Sequence, residues 1–177
     1  MSLKELAIKH GTDKAFFYAD FYETLFAGMK VSKLLELGIG SPETMKESVS
    51  RAGWTDYKPG ASLRMWAEYF PEAQIYAMDR NRNILINEGR IHSQWFEQSD
   101  VLTYRCFNNQ FDIIIDDGSH ELMDQLTARS YFVPLSLANG GIYITEDLAD
   151  PDHWPGHVER FENEYGKAAI GWIRSPG

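Results

Sequence analysis

A single cysteine, Cys106, stands among 177 residues, so no disulfide can form within the chain and burial and hydrogen bonding must hold the fold. No run of about 18 apolar residues occurs, and residues 1–14 lack an apolar stretch of signal-peptide length. The expectation is therefore a cytoplasmic chain with no membrane partner. Cations are also scarce, with 17 Lys and Arg against 26 Asp and Glu, a net charge of −9, and no block of like charges. A surface of that sign repels a phosphate backbone, which argues against nucleic acid as a partner. Internal repeats and low-complexity tracts are absent. What is present, 44% hydrophobic and 14% aromatic residues, suits one domain over residues 1–177 with a single sizeable core.

Short apolar runs that end in glycine or acid set the architecture. Lys33-Leu34-Leu35-Glu36-Leu37 stops at Gly38-Ile39-Gly40 and reads as a buried strand leading into a tight turn. Residues 74–79, 95–99, 111–117 and 141–147 read as further strands. Between them lie helical spacings: Leu63, Trp66, Ala67 and Phe70 before Pro71, then Leu122, Leu126 and Val133 around Pro134. Strand and helix alternate, and the strands are apolar on both faces. The reading is an α/β fold, a doubly wound, mostly parallel sheet with helices on both faces. Residues 1–30 form an N-terminal helical segment broken at Gly11-Thr12-Asp13, and residues 41–59 an inserted loop above the first strand, placed to cover a ligand. After Asp147 only residues 168–174 look able to form a strand, so the final strand hairpin is expected to be missing. That would leave a sheet edge open, which a homo-oligomer could cover.

In open α/β sheets ligands lie at the carboxyl ends of strands where the strand order reverses. Four groups qualify. Glu36, Gly38 and Gly40 offer an acid and a backbone that a ligand can approach closely. Asp79 ends the second run, where a carboxylate can accept from vicinal ribose hydroxyls, and its neighbour Arg80 is grouped with it. Gly40 and Asp79 are 39 positions apart, and without the 19 residues of 41–59 there remain 20, close to the roughly 20 expected between a glycine turn and a ribose acid. Capping, or pairing with Arg80 or Arg82, is the structural alternative for Asp79. Asp100 could accept an adenine amine or cap the following helix. The turn has Glu43 where a third glycine would sit, which disfavours a pyrophosphate and with it a nicotinamide dinucleotide. A nucleoside without phosphates, such as S-adenosylmethionine, fits better.

The fourth group, Asp116-Asp117-Gly118-Ser119-His120, is the most unusual string. Asp116 and Asp117 would converge on one ion if the backbone turned at Asp117, and two carboxylates suit magnesium. Otherwise Asp117 or Ser119 caps the next helix and His120 is exposed. Glu146, Asp147 and His153 could add polar groups at the mouth of the site, although solvated surface is the plainer reading of His153 and His157.

Taken in order, His10-Gly11-Thr12-Asp13-Lys14, residues 34–40, Gly60-Ala61-Ser62-Leu63-Arg64-Met65-Trp66, Tyr69-Phe70-Pro71, residues 111–120 and residues 140–147 resemble the macrocin and mycinamicin type of sugar O-methyltransferase. The resemblance implies a class I, Rossmann-like fold and a part in natural product biosynthesis. It also implies S-adenosylmethionine as methyl donor and often Mg2+. By position it implies Asp116 and Asp117 as metal ligands and His120 as the base that deprotonates the acceptor, a sugar or small-molecule hydroxyl. Gly38, Gly40, Ser62, Asp79 and Asp100 would surround the cofactor, with Lys14 and Tyr22 closing the pocket. The alternative is a protein that binds S-adenosylmethionine and degrades or sequesters it.

Overall fold

The computed structural model describes residues 1–106 and 110–177. Its centre is one eight-stranded sheet built from β1 (Lys33–Leu37), β2 (Gln74–Asp79), β3 (Asn87–Glu88), β4 (Ile91–Trp95), β5 (Phe111–Asp116), β6 (Leu137–Thr145), β7 (His157–Asn163) and β8 (Gly166–Arg174), in the order β3-β4-β2-β1-β5-β6-β8-β7. The neighbours β4, β2, β1, β5 and β6 are parallel, whereas β3 and the β7–β8 pair run antiparallel. The chain winds outward from β1 through β2 to β4, then returns to lay β5 on the other side of β1. The strand order therefore reverses between β1 and β5, the point at which open α/β sheets bind their ligands.

Helices cover both faces. On one lie α1 (Leu3–His10), α2 (Lys14–Phe17), α3 (Ala19–Leu25) and α5 (Ala61–Tyr69); on the other lies α6 (Leu122–Leu135). A capping box starts α1, with Ser2 Oγ accepting from the Glu5 amide and Glu5 from that of Ser2. In α5, Leu63, Met65 and Trp66 are buried. Period-two alternation divides the core. Leu34, Ile113, Ile115, Ile142 and Ile144 pack with Leu3, Tyr22 and Trp66, while Leu35, Leu37, Ile114 and Tyr143 pack with Tyr104 and Phe132. Full burial of Trp66 contributes on the order of 3 kcal/mol or more by its area.

Three expectations are corrected. The final hairpin is present: β7 and β8 pair from His157 to Trp172 and β8 pairs with β6. β7 escapes detection because its residues, HVERFEN, are mostly exposed and show no apolar run. The open edge beside β6 therefore does not exist, and with it goes the reason for covering that edge with a second copy. The outermost strand, β7, exposes Glu159, Arg160 and Glu162, charges that discourage edge pairing. The strand expected at 95–99 lies earlier, at Ile91–Trp95, and is preceded by the two-residue β3. The loop at 41–59 contains a short helix, α4 (Lys46–Arg51). Among the described residues no helix is long and apolar enough to cross a membrane.

Candidate active site

Gly38 follows β1 and Asp117 follows β5, so both stand at the reversal point, and the Asp117 amide donates to the Leu37 carbonyl at 2.9 Å. Gly38 has φ +92°, and a Cβ there would lie 2.1 Å from the Asp117 carbonyl oxygen. Only glycine allows the two tips to cross this closely. Gly40 is pressed by the 41–59 segment, since a Cβ would meet the Tyr57 hydroxyl at 2.5 Å and that hydroxyl donates to the Ile39 carbonyl. On the β2 side, half-buried Asp79 accepts from the amides of Ile39 and Asn81 at 2.8 and 2.7 Å. Its carboxylate thus fixes the glycine turn and keeps lone pairs for a ligand. Ser62 is buried at the start of α5.

The alternation that divides the core also divides the paired acids. Asp116 follows Ile114 onto the α6 face and is 1% exposed. It accepts from Gln98 Nε2 at 2.9 and 3.1 Å and from the Tyr143 hydroxyl at 3.0 Å. Asp117 lies on the opposite face, so the expected convergence of Asp116 and Asp117 on one ion does not occur. The reason is the pleat, because the backbone does not turn until after Asp117. Asp117 instead meets His120 and Asp147: His120 Nε2 is 3.9 Å from Asp117 Oδ1 and 3.9 Å from Asp147 Oδ2. One ligand atom from each of the three lies within 4.8 Å of the others. Asp147 has φ +45°, an uncommon conformation for a side-chain-bearing residue that aspartate tolerates, and accepts from the Tyr18 hydroxyl.

Beneath this trio sits Lys14, 1% exposed. The parallel register aligns Glu36, Asp117 and Glu146 on the face of α2, and the Lys14 ammonium lies 2.8 Å from Asp117, 2.7 Å from Glu146 and 3.2 Å from Glu36. Glu36, expected at the cofactor, is instead a brace, its second oxygen accepting from Trp66 Nε1 at 2.9 Å. Tyr22 is likewise internal and donates to Glu146. Asp100 is exposed and caps the turn at Val101–Cys106 by accepting from the Leu102 amide at 3.0 Å. The Arg80 side chain is exposed. His153 pairs with Asp150 at the surface, and His157 stacks on Trp172.

Electrostatics sort the groups into roles. Burial alone would strip Lys14 of its proton, but Asp117, Glu146 and Glu36 outweigh it and hold its pKa well above the usual range. Burial pushes Asp117 up, yet Lys14 and His120 bring it below the usual value, while burial and the Asp117 charge raise Glu146. The Asp117 carboxylate, 3.9 Å from the ring nitrogen, raises His120 above its ordinary 6.5 against the opposing effect of burial, with Asp147 adding to the effect. A cavity of about 390 Å³ opens on Asp117, Glu146 and Asp147, walled by Phe16, Tyr18 and Tyr165. The 41–59 segment reaches it through Ser48, whose hydroxyl donates to Asp13 at 2.8 Å.

Gln98 is the tie that sequence reading missed. It bonds Asp116 through Nε2 and accepts the Ser119 amide on Oε1 at 2.7 Å, locking the β5 tip; one glutamine in a loop carries no pattern that marks it. Burial raises Asp116 to about 7 from 3.8. The folded state therefore holds this proton more tightly than the unfolded chain, and the associated stability is lost as pH rises from about 4 through about 7. Asp116→Asn mimics the protonated acid. Urea unfolding at about pH 8 is expected to find the variant about 4 kcal/mol more stable than the parent, with the difference vanishing near pH 4. A constant difference across that range would refute the assignment.

No family model matches the chain. The protein of Streptomyces olivaceus named 8-demethyl-8-(2-methoxy-alpha-L-rhamnosyl)-tetracenomycin-C 3'-O-methyltransferase is 33% identical over 98% of this chain and 43% of its own length. Mycinamicin VI 2''-O-methyltransferase of Micromonospora griseorubida is 30% identical over 98% of this chain and 42% of its own. The chain thus spans less than half the length of these relatives. Among solved structures, MycE methyltransferase of the mycinamycin biosynthetic pathway, in complex with Mg, SAH and mycinamycin VI, aligns with a TM-score of 0.65 at 23% identity over 98% of this chain and 54% of that one. The N-methyltransferase NodS of Bradyrhizobium japonicum aligns with a TM-score of 0.57 at 11% identity, covering 99% of both chains. The sheet order with its terminal antiparallel hairpin, the glycine turn at the reversal point and these relatives agree: the chain belongs to the macrocin and mycinamicin family of sugar O-methyltransferases, within the class I methyltransferases.

Proposed function

We propose that this chain is the cofactor-binding and catalytic domain of an S-adenosylmethionine-dependent O-methyltransferase acting on a hydroxyl of a sugar or similar small molecule. The observation that carries the reading is the gathering of groups at the β1–β5 reversal, with Asp79 beside the glycine turn on one side and Asp117, His120, Asp147 and an open cavity on the other. The residues fit the cofactor: Gly38 and Gly40 let the turn pack closely at the strand tips, Asp79 offers a half-buried carboxylate for ribose hydroxyls, and the start of α5 lies beside the turn, where the Gly60 amide donates to the Ile39 carbonyl. S-adenosylmethionine, when bound, supplies a methyl group on a sulfonium.

Asp117 and Asp147 would hold a divalent ion with a preference for oxygen, such as magnesium, which would lower the pKa of an acceptor hydroxyl and leave His120 beside them as the base. His120 takes the hydroxyl proton, and the imidazolium it becomes is stabilised by the two carboxylates beside it. Phe16, Tyr18 and Tyr165 offer aromatic surface to the acceptor, and the rigid tips of β1 and β5 hold the reacting groups in line. Degradation or sequestration of the cofactor finds no support among the relatives, whose names describe O-methyl transfer.

S-adenosylhomocysteine tests the cofactor site directly. It is expected to raise the Tm of the parent, and Asp79→Ala is expected to bind it about 10- to 100-fold more weakly, the loss of hydrogen bonds to a charged group. No thermal shift in the parent would sink the reading.

A further inference from the structure

His120 Nε2 stands 3.9 Å from both Asp117 Oδ1 and Asp147 Oδ2, beyond hydrogen-bond length. The backbone on either side of it therefore fixes its place. After it, the Glu121 carbonyl opens α6 by accepting from the Gln125 amide; before it, the Ser119 amide donates to Gln98 Oε1 at 2.7 Å. Gln98 is 5% exposed and lies in the loop between β4 and the turn at Val101–Cys106. Its amide has one workable orientation. A backbone N–H can only donate, so the oxygen faces Ser119 and the nitrogen faces the Asp116 carboxylate, at 2.9 and 3.1 Å. The Tyr143 hydroxyl braces Asp116 at 3.0 Å, and the Tyr104 hydroxyl donates to the Gln98 carbonyl, so the bridge is anchored in the core. On the same loop the Phe96 amide donates to the Asp79 carbonyl at 3.1 Å. One short segment thus touches the acid on the cofactor side and the turn that carries the imidazole.

We propose that Gln98 is a positioning residue: through the Ser119 amide it sets where His120 stands relative to the Asp79 side of the site. Gly118 belongs to the same arrangement, since a Cβ there would lie 2.3 Å from Gln98 Oε1 and push that oxygen off Ser119. The value of the alignment rests on the proposed function, in which His120 is the base and a misplacement of about 1 Å costs on the order of 10²-fold in rate. The test reads the position of the imidazole and not turnover, so the two readings fail separately.

The probe is the proton–carbon correlation spectrum of the full chain with labelled histidine rings, recorded where the imidazoles are neutral, with His120→Ala identifying the His120 signal. Amide exchange at Ser119 is followed alongside. Gln98→Met keeps the length of the side chain and loses both polar atoms. It is expected to shift and broaden the His120 signal, to leave those of His10, His92, His153 and His157 in place, and to speed Ser119 exchange about tenfold. Gly118→Ala is expected to have the same effects while keeping every polar group of the bridge, so the outcome does not hang on the folding of Gln98→Met. Gln98→Glu combined with Asp116→Asn exchanges donor and acceptor across the bridge and is expected to return the His120 signal and Ser119 exchange to those of the parent. A merely structural glutamine would lower Tm in Gln98→Met without moving the His120 signal, and that result overturns the proposal. A displaced signal in the exchanged pair, or an unmoved one in Gly118→Ala, overturns it as well.

Discussion

His120→Ala is expected to lower the rate of S-adenosylhomocysteine formation about 10²- to 10⁴-fold, the range for loss of a positioned general base, while leaving the affinity for S-adenosylhomocysteine unchanged. The imidazole stands beside Asp117 and Asp147, which line the cavity, and its side chain is 55% exposed, so the variant should unfold with the parent. Because Asp117 and Asp147 raise its pKa above 6.5, the neutral form that can accept a proton gains ground only above that value. The kcat/KM of the parent should therefore rise with pH through an apparent pKa above 6.5, and the acid limb should disappear in His120→Ala. An unchanged rate in the variant would move the base elsewhere, and an unchanged acid limb with a lower rate would make His120 a binding group.

The second large effect falls on stability. Gly38→Ala is expected to cost about 3–5 kcal/mol, combining a backbone conformation that disfavours a side chain with insertion of a methyl group into packed structure. At this chain length that lowers Tm by on the order of 10 °C. The cause is specific: the new Cβ would stand 2.1 Å from a backbone oxygen of the neighbouring strand tip, and neither backbone can move without opening the sheet. Gly53→Ala is the control, because Gly53 has φ +68° but nothing within 4 Å of the built Cβ. It should cost about 1–2 kcal/mol, the conformational part alone. Equal losses at the two positions would show that φ, and not the contact with Asp117, dominates at Gly38.

Both predictions concern residues that sequence patterns mark, and the reason is local. An apolar run stopped by Gly38-Ile39-Gly40 declares a strand tip, since buried strands need apolar side chains and tight turns need glycine. Asp79 and Asp117 stand out likewise as acids at the ends of such runs. The hairpin β7–β8 was missed for the complementary reason. A half-exposed antiparallel strand such as β7 buries too little to need an apolar run, and only its pairing with β8 makes it a strand. Asp100 and Glu36 show the limit from the other side, because an acid at a strand end can cap a turn or brace a core with no change in local sequence.

The sequence by itself determined the alternation of strands and helices, the parallel sheet, the glycine turn and the family, because these depend on local periodicity and on short strings that survive without knowledge of their neighbours. Only the tertiary structure decided which acids share a site. The pleat sends Asp116 to one face and Asp117 to the other, and the register of β1, β5 and β6 brings Glu36, Asp117 and Glu146 around a lysine more than a hundred positions away from the last two. Such company is set by distances through space, which no spacing along the chain records.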